Sequence, residues 1–171
     1  EPLVEEMLAD WKSPAPQSRI HRMAGKKPAV VREINTPDKA NAAYFSGMEI
    51  ALKDSDPDYP ALVLGNFILG GGSLSSRLGD RVRQKEGLSY SVASQFSSDA
   101  IDPVSRLTIY AIANPQNAPK LQAVIREELD KLLSEGVNSE EVERAKQGYL
   151  QSQQVRRSSD SALAGILSGT L

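Results

Sequence analysis

The sequence predicts an α+β fold, a two-layer sandwich in which a mainly antiparallel, mixed sheet of about five to six strands packs against helices. Three observations carry that expectation. Several short segments alternate apolar and polar residues, the period of half-buried strands. Others repeat apolar residues at helical spacing and end at glycine. Connections between sequential strand segments are short, which favours antiparallel pairing.

The elements follow in chain order. Leu3, Met7, Leu8 and Trp11 lie at the spacing of a short amphipathic helix, and Ser13, Pro14, Ala15 and Pro16 make a stiff spacer after it. No initiator methionine precedes them, so residues 1–16 read as a linker helix and spacer from an upstream domain. Residues 17–171 read as a single domain cut at its C-terminus, because the small-residue helix capped by Asp160 runs out at Leu171 without a stop. Residues 19–24 alternate weakly, and residues 28–34 more clearly, with Ala29, Val31 and Glu33 opposite Val30, Arg32 and Ile34. Both suit strands. Tyr44, Phe45, Met48, Ile50 and Leu52 mark a longer strand over residues 41–52, and residues 54–57 turn.

The apolar run 61–69 suits a buried strand or a buried helix, and the Asp58-Tyr59-Pro60 start favours the helix. Gly70, Gly71 and Gly72 lead to a second helix over residues 74–86, stopped by Gly87. Leu88, Tyr90, Val92, Ser94 and Phe96 then alternate as one face of a strand, and Leu107, Ile109 and Ala111 as one face of another. Residues 120–135 form an amphipathic helix closed by Gly136. Asn138 and Glu141 have capping-box spacing and open a helix to about Arg157.

Composition excludes several functions. The 171 residues can bury one good core without staples. Twenty basic against 22 acidic residues, with no basic block, disfavour nucleic-acid binding. The absence of cysteine removes disulfide and thiolate chemistry, and one histidine removes any multi-imidazole centre. That histidine, His21, shares its predicted strand face with Arg19 and Met23 and has no partner at ligand spacing. Charges such as Glu127, Glu128, Asp130 and Lys131 read as a solvated helix face.

The informative stretch is residues 69–92, LGGGSLSSRLGDRVRQKEGLSYSV. Its glycines offer backbone that a ligand could approach, or simply join two helices. No lysine stands where a phosphate-binding loop requires one. Leu74, Leu78 and Val82 form an apolar stripe; Arg81 lies near it and Arg83 well away. Arg83 and Tyr90 can therefore converge from a helix end and the next strand, offering donors to a peptide carbonyl or a developing oxyanion. Against that stands a simpler account, with Tyr90 in the core beside Leu88 and Val92 and Arg83 serving the helix dipole.

The run LGGGSLSSRL followed by RVRQKEGLSYSV resembles the second, non-zinc domain of the pitrilysin-type zinc metallopeptidases, the group that includes mitochondrial processing peptidase. The matching positions are Gly70 to Gly72, Ser76-Arg77-Leu78, Arg83, and Gly87-Leu88-Ser89-Tyr90. The resemblance implies a peptidase-like α+β domain that closes over an extended peptide opposite a zinc-bearing domain or subunit. It implies that Arg83 and Tyr90 bind substrate backbone near the scissile bond, with Gly70, Gly71 and Gly72 as a backbone-contact loop. Zinc and the water-activating glutamate belong to the partner, because this chain has no His-x-x-Glu-His. No catalytic residue and no metal ligand is then expected here, and the isolated chain should be proteolytically inert. The alternatives are a catalytically silent scaffold of the same fold and a free-standing peptide-binding module.

Overall fold

The computed structural model describes residues 2–25, 28–72 and 75–169. Its strands, β1 (Ala42–Ile50), β2 (Ser89–Ser98) and β3 (Ser105–Ala113), form one antiparallel sheet in the order β1-β3-β2. The α-helices are α1 (Pro2–Leu8), α2 (Tyr59–Asn66), α3 (Ala118–Glu135), α4 (Ser139–Arg157) and α5 (Asp160–Gly169). Two segments, Phe67–Gly71 and Gly79–Lys85, are π-helical.

The two-residue period of the central strand decides the layering. In β3, Ile109, Ala111 and Ala113 are buried, while Tyr110 and Ile112 between them are exposed. The buried face meets Leu69, Leu78, Val82, Leu121, Val124 and Ile125, with Tyr44, Val92, Leu129 and Leu132 at its margin. Helices thus cover one face of the sheet and leave the other open.

Each helix is set by local chemistry. Leu121, Val124, Ile125 and Glu128 recur at helical spacing and are the buried residues of α3. α4 opens with the capping box the sequence predicts: Asn138 Oδ1 accepts from the Glu141 amide at 2.9 Å, and the Asn138 amide donates to Glu141 Oε2 at 3.0 Å. The ambiguous run 61–69 is helical, with Pro60 in the first turn of α2. Its π-helical continuation lies against β2 so closely that a Cβ on Gly70 would stand 2.6 Å from the Ser94 amide nitrogen. Helix–strand packing by itself therefore requires glycine at that position.

The sheet has fewer strands than the sequence predicts. The described residues hold three, and segments 19–24 and 28–34 have no ladder partner. Their alternation is real, yet Ile20, Met23, Val30, Val31 and Ile34 are exposed, since no sheet edge receives them. Asp102, only 3% exposed, pins this arm. It accepts from Arg19 Nη2 at 2.9 Å and from the Arg22 amide at 3.1 Å, and lies 3.4 Å from His21 Nδ1. A second correction concerns Glu128, which is buried rather than solvated and sits 3.5 Å from the Arg81 guanidinium. Leu74, at the head of the predicted apolar stripe, lies outside the described residues.

Candidate functional site

Arg83 is placed by its neighbours in sequence. Leu78 and Val82 have no exposed surface and fix the inner side of the π-helical segment Gly79–Lys85, which leaves Arg83 in its last turn facing solvent. The segment is wound wide: the Glu86 amide donates to the Arg81 carbonyl, five residues back, at 3.1 Å. Gly87 then takes a left-handed φ of 61°, and the Leu88 amide returns to the Val82 carbonyl at 3.0 Å. That six-residue closure, with Leu88 buried, is a Schellman-type stop and turns the chain into β2.

Tyr90 is placed by an irregularity. Ser89 stands opposite Ala113 and Ser91 opposite Ile112, so two steps of β2 match one step of β3 and Tyr90 is the extra residue. The sequence pattern puts Tyr90 on the face of Leu88 and Val92; the bulge removes it from that face. Tyr90 is 85% exposed, which excludes the core-packing account of this tyrosine.

The two residues meet. The Arg83 guanidinium carbon lies 5.0 Å from the centre of the Tyr90 ring, in cation–π contact. Among the described residues neither head group is engaged in a hydrogen bond or an ion pair. Guanidinium N–H groups and a phenol are therefore presented together to solvent, a donor set suited to carbonyl oxygen. Of the glycine run, Gly70 is buried, Gly71 exposed and Gly72 half-buried.

Neighbouring charges anchor the platform instead of joining it. Arg81 pairs with Glu86 and, across to α3, with Glu127 at 3.2 Å; Lys120 Nζ reaches Glu86 at 2.8 Å. The Lys120 hydrogen bond, with help from Arg81, holds the Glu86 carboxyl below the usual glutamate range. Sequence reasoning named Arg77 as a motif position and missed its partners. It donates to Glu141 from Nε at 2.7 Å and from Nη2 at 2.8 Å, and also to the Gly136 carbonyl at 2.8 Å. One carboxylate thus caps α4 and ties it to the Ser-Arg-Leu turn. The Arg77 hydrogen bond, then the Asn138 amide, keeps Glu141 below its ordinary value against the opposing effect of burial. The capping box named Glu141, but nothing in the spacing pointed to Arg77 as its partner.

The residues present do not fit a zinc centre. Among the described residues no three His, Asp or Glu side chains gather as metal ligands. The single histidine faces Asp102, whose other oxygen is taken by the Arg19 guanidinium. No described helix is long and apolar enough to cross a membrane.

Residues 1–149 match the family described as the peptidase M16 inactive domain. The chain is 29% identical over 84% of its length to the uncharacterized zinc protease YmxG of Bacillus subtilis, covering 34% of that protein. It is 32% identical over 83% of its length to an uncharacterized zinc protease of Streptomyces coelicolor, covering 29% of it. The chain thus spans about a third of the length of these relatives. The peptidase M16 inactive domain from Pseudomonas fluorescens superposes with a TM-score of 0.60 at 27% identity, over 66% of this chain and 26% of that one. A protease from Helicobacter pylori gives a TM-score of 0.67 at 21% identity, over 78% of this chain and 32% of the other.

Proposed function

Since this chain belongs to the peptidase M16 inactive-domain family, we propose that it is the substrate-binding half of a zinc-dependent endopeptidase. In this reading it clasps extended peptide backbone near the scissile bond. Zinc and the water-activating glutamate lie on a partner domain of the same polypeptide or on a separate subunit. The supporting observation is the Arg83–Tyr90 pair, stacked at 5.0 Å and exposed, with donors unclaimed by the described residues. A scaffold needs neither the exposure nor the pairing.

The chemistry asked of this half is modest. A guanidinium and a phenol hold a peptide carbonyl in place and can donate to the oxyanion that forms as the carbonyl is attacked. Zinc, when bound by the partner, supplies Lewis acidity and an acidified water. Gly71, the exposed glycine of the run, offers additional backbone to the same peptide under this reading.

The test is substitution in the full-length protease. Arg83→Ala and Tyr90→Phe should each lower kcat/KM by about 10²–10³, the usual loss of about 2.7–4 kcal/mol for one transition-state donor. Zinc content and melting temperature should stay at wild-type values. Unchanged peptide hydrolysis in both variants would leave the silent scaffold as the better reading. The 171-residue chain alone, supplied with zinc, should cleave no peptide, and cleavage by the pure chain would overturn the division of labour.

A further inference from the structure

We infer that Ser89 is a positioning residue whose buried hydroxyl holds the bulge that presents Tyr90 beside Arg83. The importance of that placement rests on the substrate-binding reading above; the geometry itself does not.

Ser89 is 5% exposed, on the helix-covered side of the sheet opposite Ala113. Its Oγ lies 2.6 Å from the Ile112 carbonyl oxygen and 2.8 Å from the Ser91 carbonyl oxygen, and it accepts from the Ser91 amide at 3.2 Å. One hydroxyl therefore ties together both ends of the irregular step and the strand it faces. Those are the backbone groups that an extra residue would otherwise strip of regular ladder partners.

The alternative pairing shows what this accomplishes. Without the extra residue, register continued from Ser91 opposite Ile112 would set Tyr90 opposite Ala113. Ala113 is buried among Leu69, Val82 and Leu121, and residues directly opposite each other share a face. Regular pairing would thus drive the phenol toward the helices and away from Arg83. A small residue with a hydroxyl is needed opposite Ala113 so that a large ring can stand outside.

The test is made on the 171-residue chain by NMR and needs no peptide hydrolysis. In the wild type, the Arg83 side-chain protons should carry the upfield displacement of a ring-current contact with Tyr90, and the Ser91 amide should be protected from exchange. Ser89→Ala should abolish the displacement and speed Ser91 exchange, while Val124 and Ile125 methyl resonances stay in place. Ser89→Thr, which keeps the hydroxyl, should restore both signals. Ser89→Cys, of similar size with a weaker donor and acceptor, should weaken both and keeps the test decisive if the alanine variant does not fold. An undisturbed Arg83–Tyr90 signal in Ser89→Ala or Ser89→Cys overturns the inference. Failure of Arg83 and Tyr90 substitutions to affect turnover would sink the substrate-binding reading and leave this result standing.

Discussion

At the scale of single residues, the candidate site depends on where two side chains cannot go. Val82 is locked into the core, so Arg83 is turned out; Ser89 occupies the inward position, so Tyr90 is turned out. Arginines on either side of Val82 consequently have different fates. Arg81 spends its guanidinium on Glu86 and Glu127, whereas among the described residues Arg83 meets the Tyr90 ring. From their spacing around Gly87 the sequence allowed Arg83 and Tyr90 to converge, and left a core-packed Tyr90 as the alternative. It did not reveal the bulge, because a two-residue period through Leu88, Tyr90 and Val92 looks unbroken when one residue is extra. The only trace was a serine where a core position expects an apolar side chain. Gly87 is the joint between the two, and a Cβ added there would touch nothing within 4 Å. At a φ of 61° its replacement carries a purely conformational cost. Gly87→Ala should therefore destabilise the chain by about 1–2 kcal/mol, measured by urea denaturation.

Among the elements, helices and strands that find a partner were legible, and alternating segments that no sheet edge receives were not told apart from them. α3 and α4 declare themselves through period, cap and closing glycine. β1, β2 and β3 do so through alternation; β2 and β3 are sequential, and β1 pairs with β3 across the intervening elements. Segments 19–24 and 28–34 carry the same alternation, but a strand exists only where an edge accepts it, and the sequence cannot supply that knowledge. Asp102 takes the place of a ladder for this arm, gathering Arg19, His21 and the Arg22 amide on one carboxylate. α2 and its π-helical continuation allow a paired experiment. Gly65 has open space around its would-be Cβ, and Gly70 meets Ser94 at 2.6 Å. Gly65→Ala should raise stability by about 0.5–1 kcal/mol through helix propensity. Gly70→Ala should lower it by about 1–3 kcal/mol through overpacking. Equal shifts in urea midpoint for the two variants would contradict the close contact with β2.

Over the whole molecule, acidity should act as a loosening agent. Glu141, Glu86, Asp99 and Asp102 all have carboxyls held below their ordinary values. The leading causes are hydrogen bonds: Arg77 for Glu141, Lys120 for Glu86, and backbone amides for the two aspartates. A carboxyl with a lowered folded value is less protonated folded than unfolded, so its contribution is complete above the unfolded value, about 4. The contribution is lost as pH falls through the lower folded values. Urea midpoints should accordingly hold steady from about pH 7 to 5 and decline below about pH 4. Glu141→Gln should lower the plateau, because it unties α4 from Arg77, and should make the acid decline shallower. A decline as steep as in wild type would show that the Arg77 pair is not one of its sources. The bulge in β2 has a consequence of another kind. Removing Tyr90 altogether would heal the strand pairing, seating Ser89 directly before Ser91 and removing no residue of the hydrophobic interior. Loss of one codon would thus suffice to withdraw the proposed peptide contact while the hydrophobic core keeps its residues. Under the proposed reading, that is a short genetic path from substrate-binding half to silent scaffold.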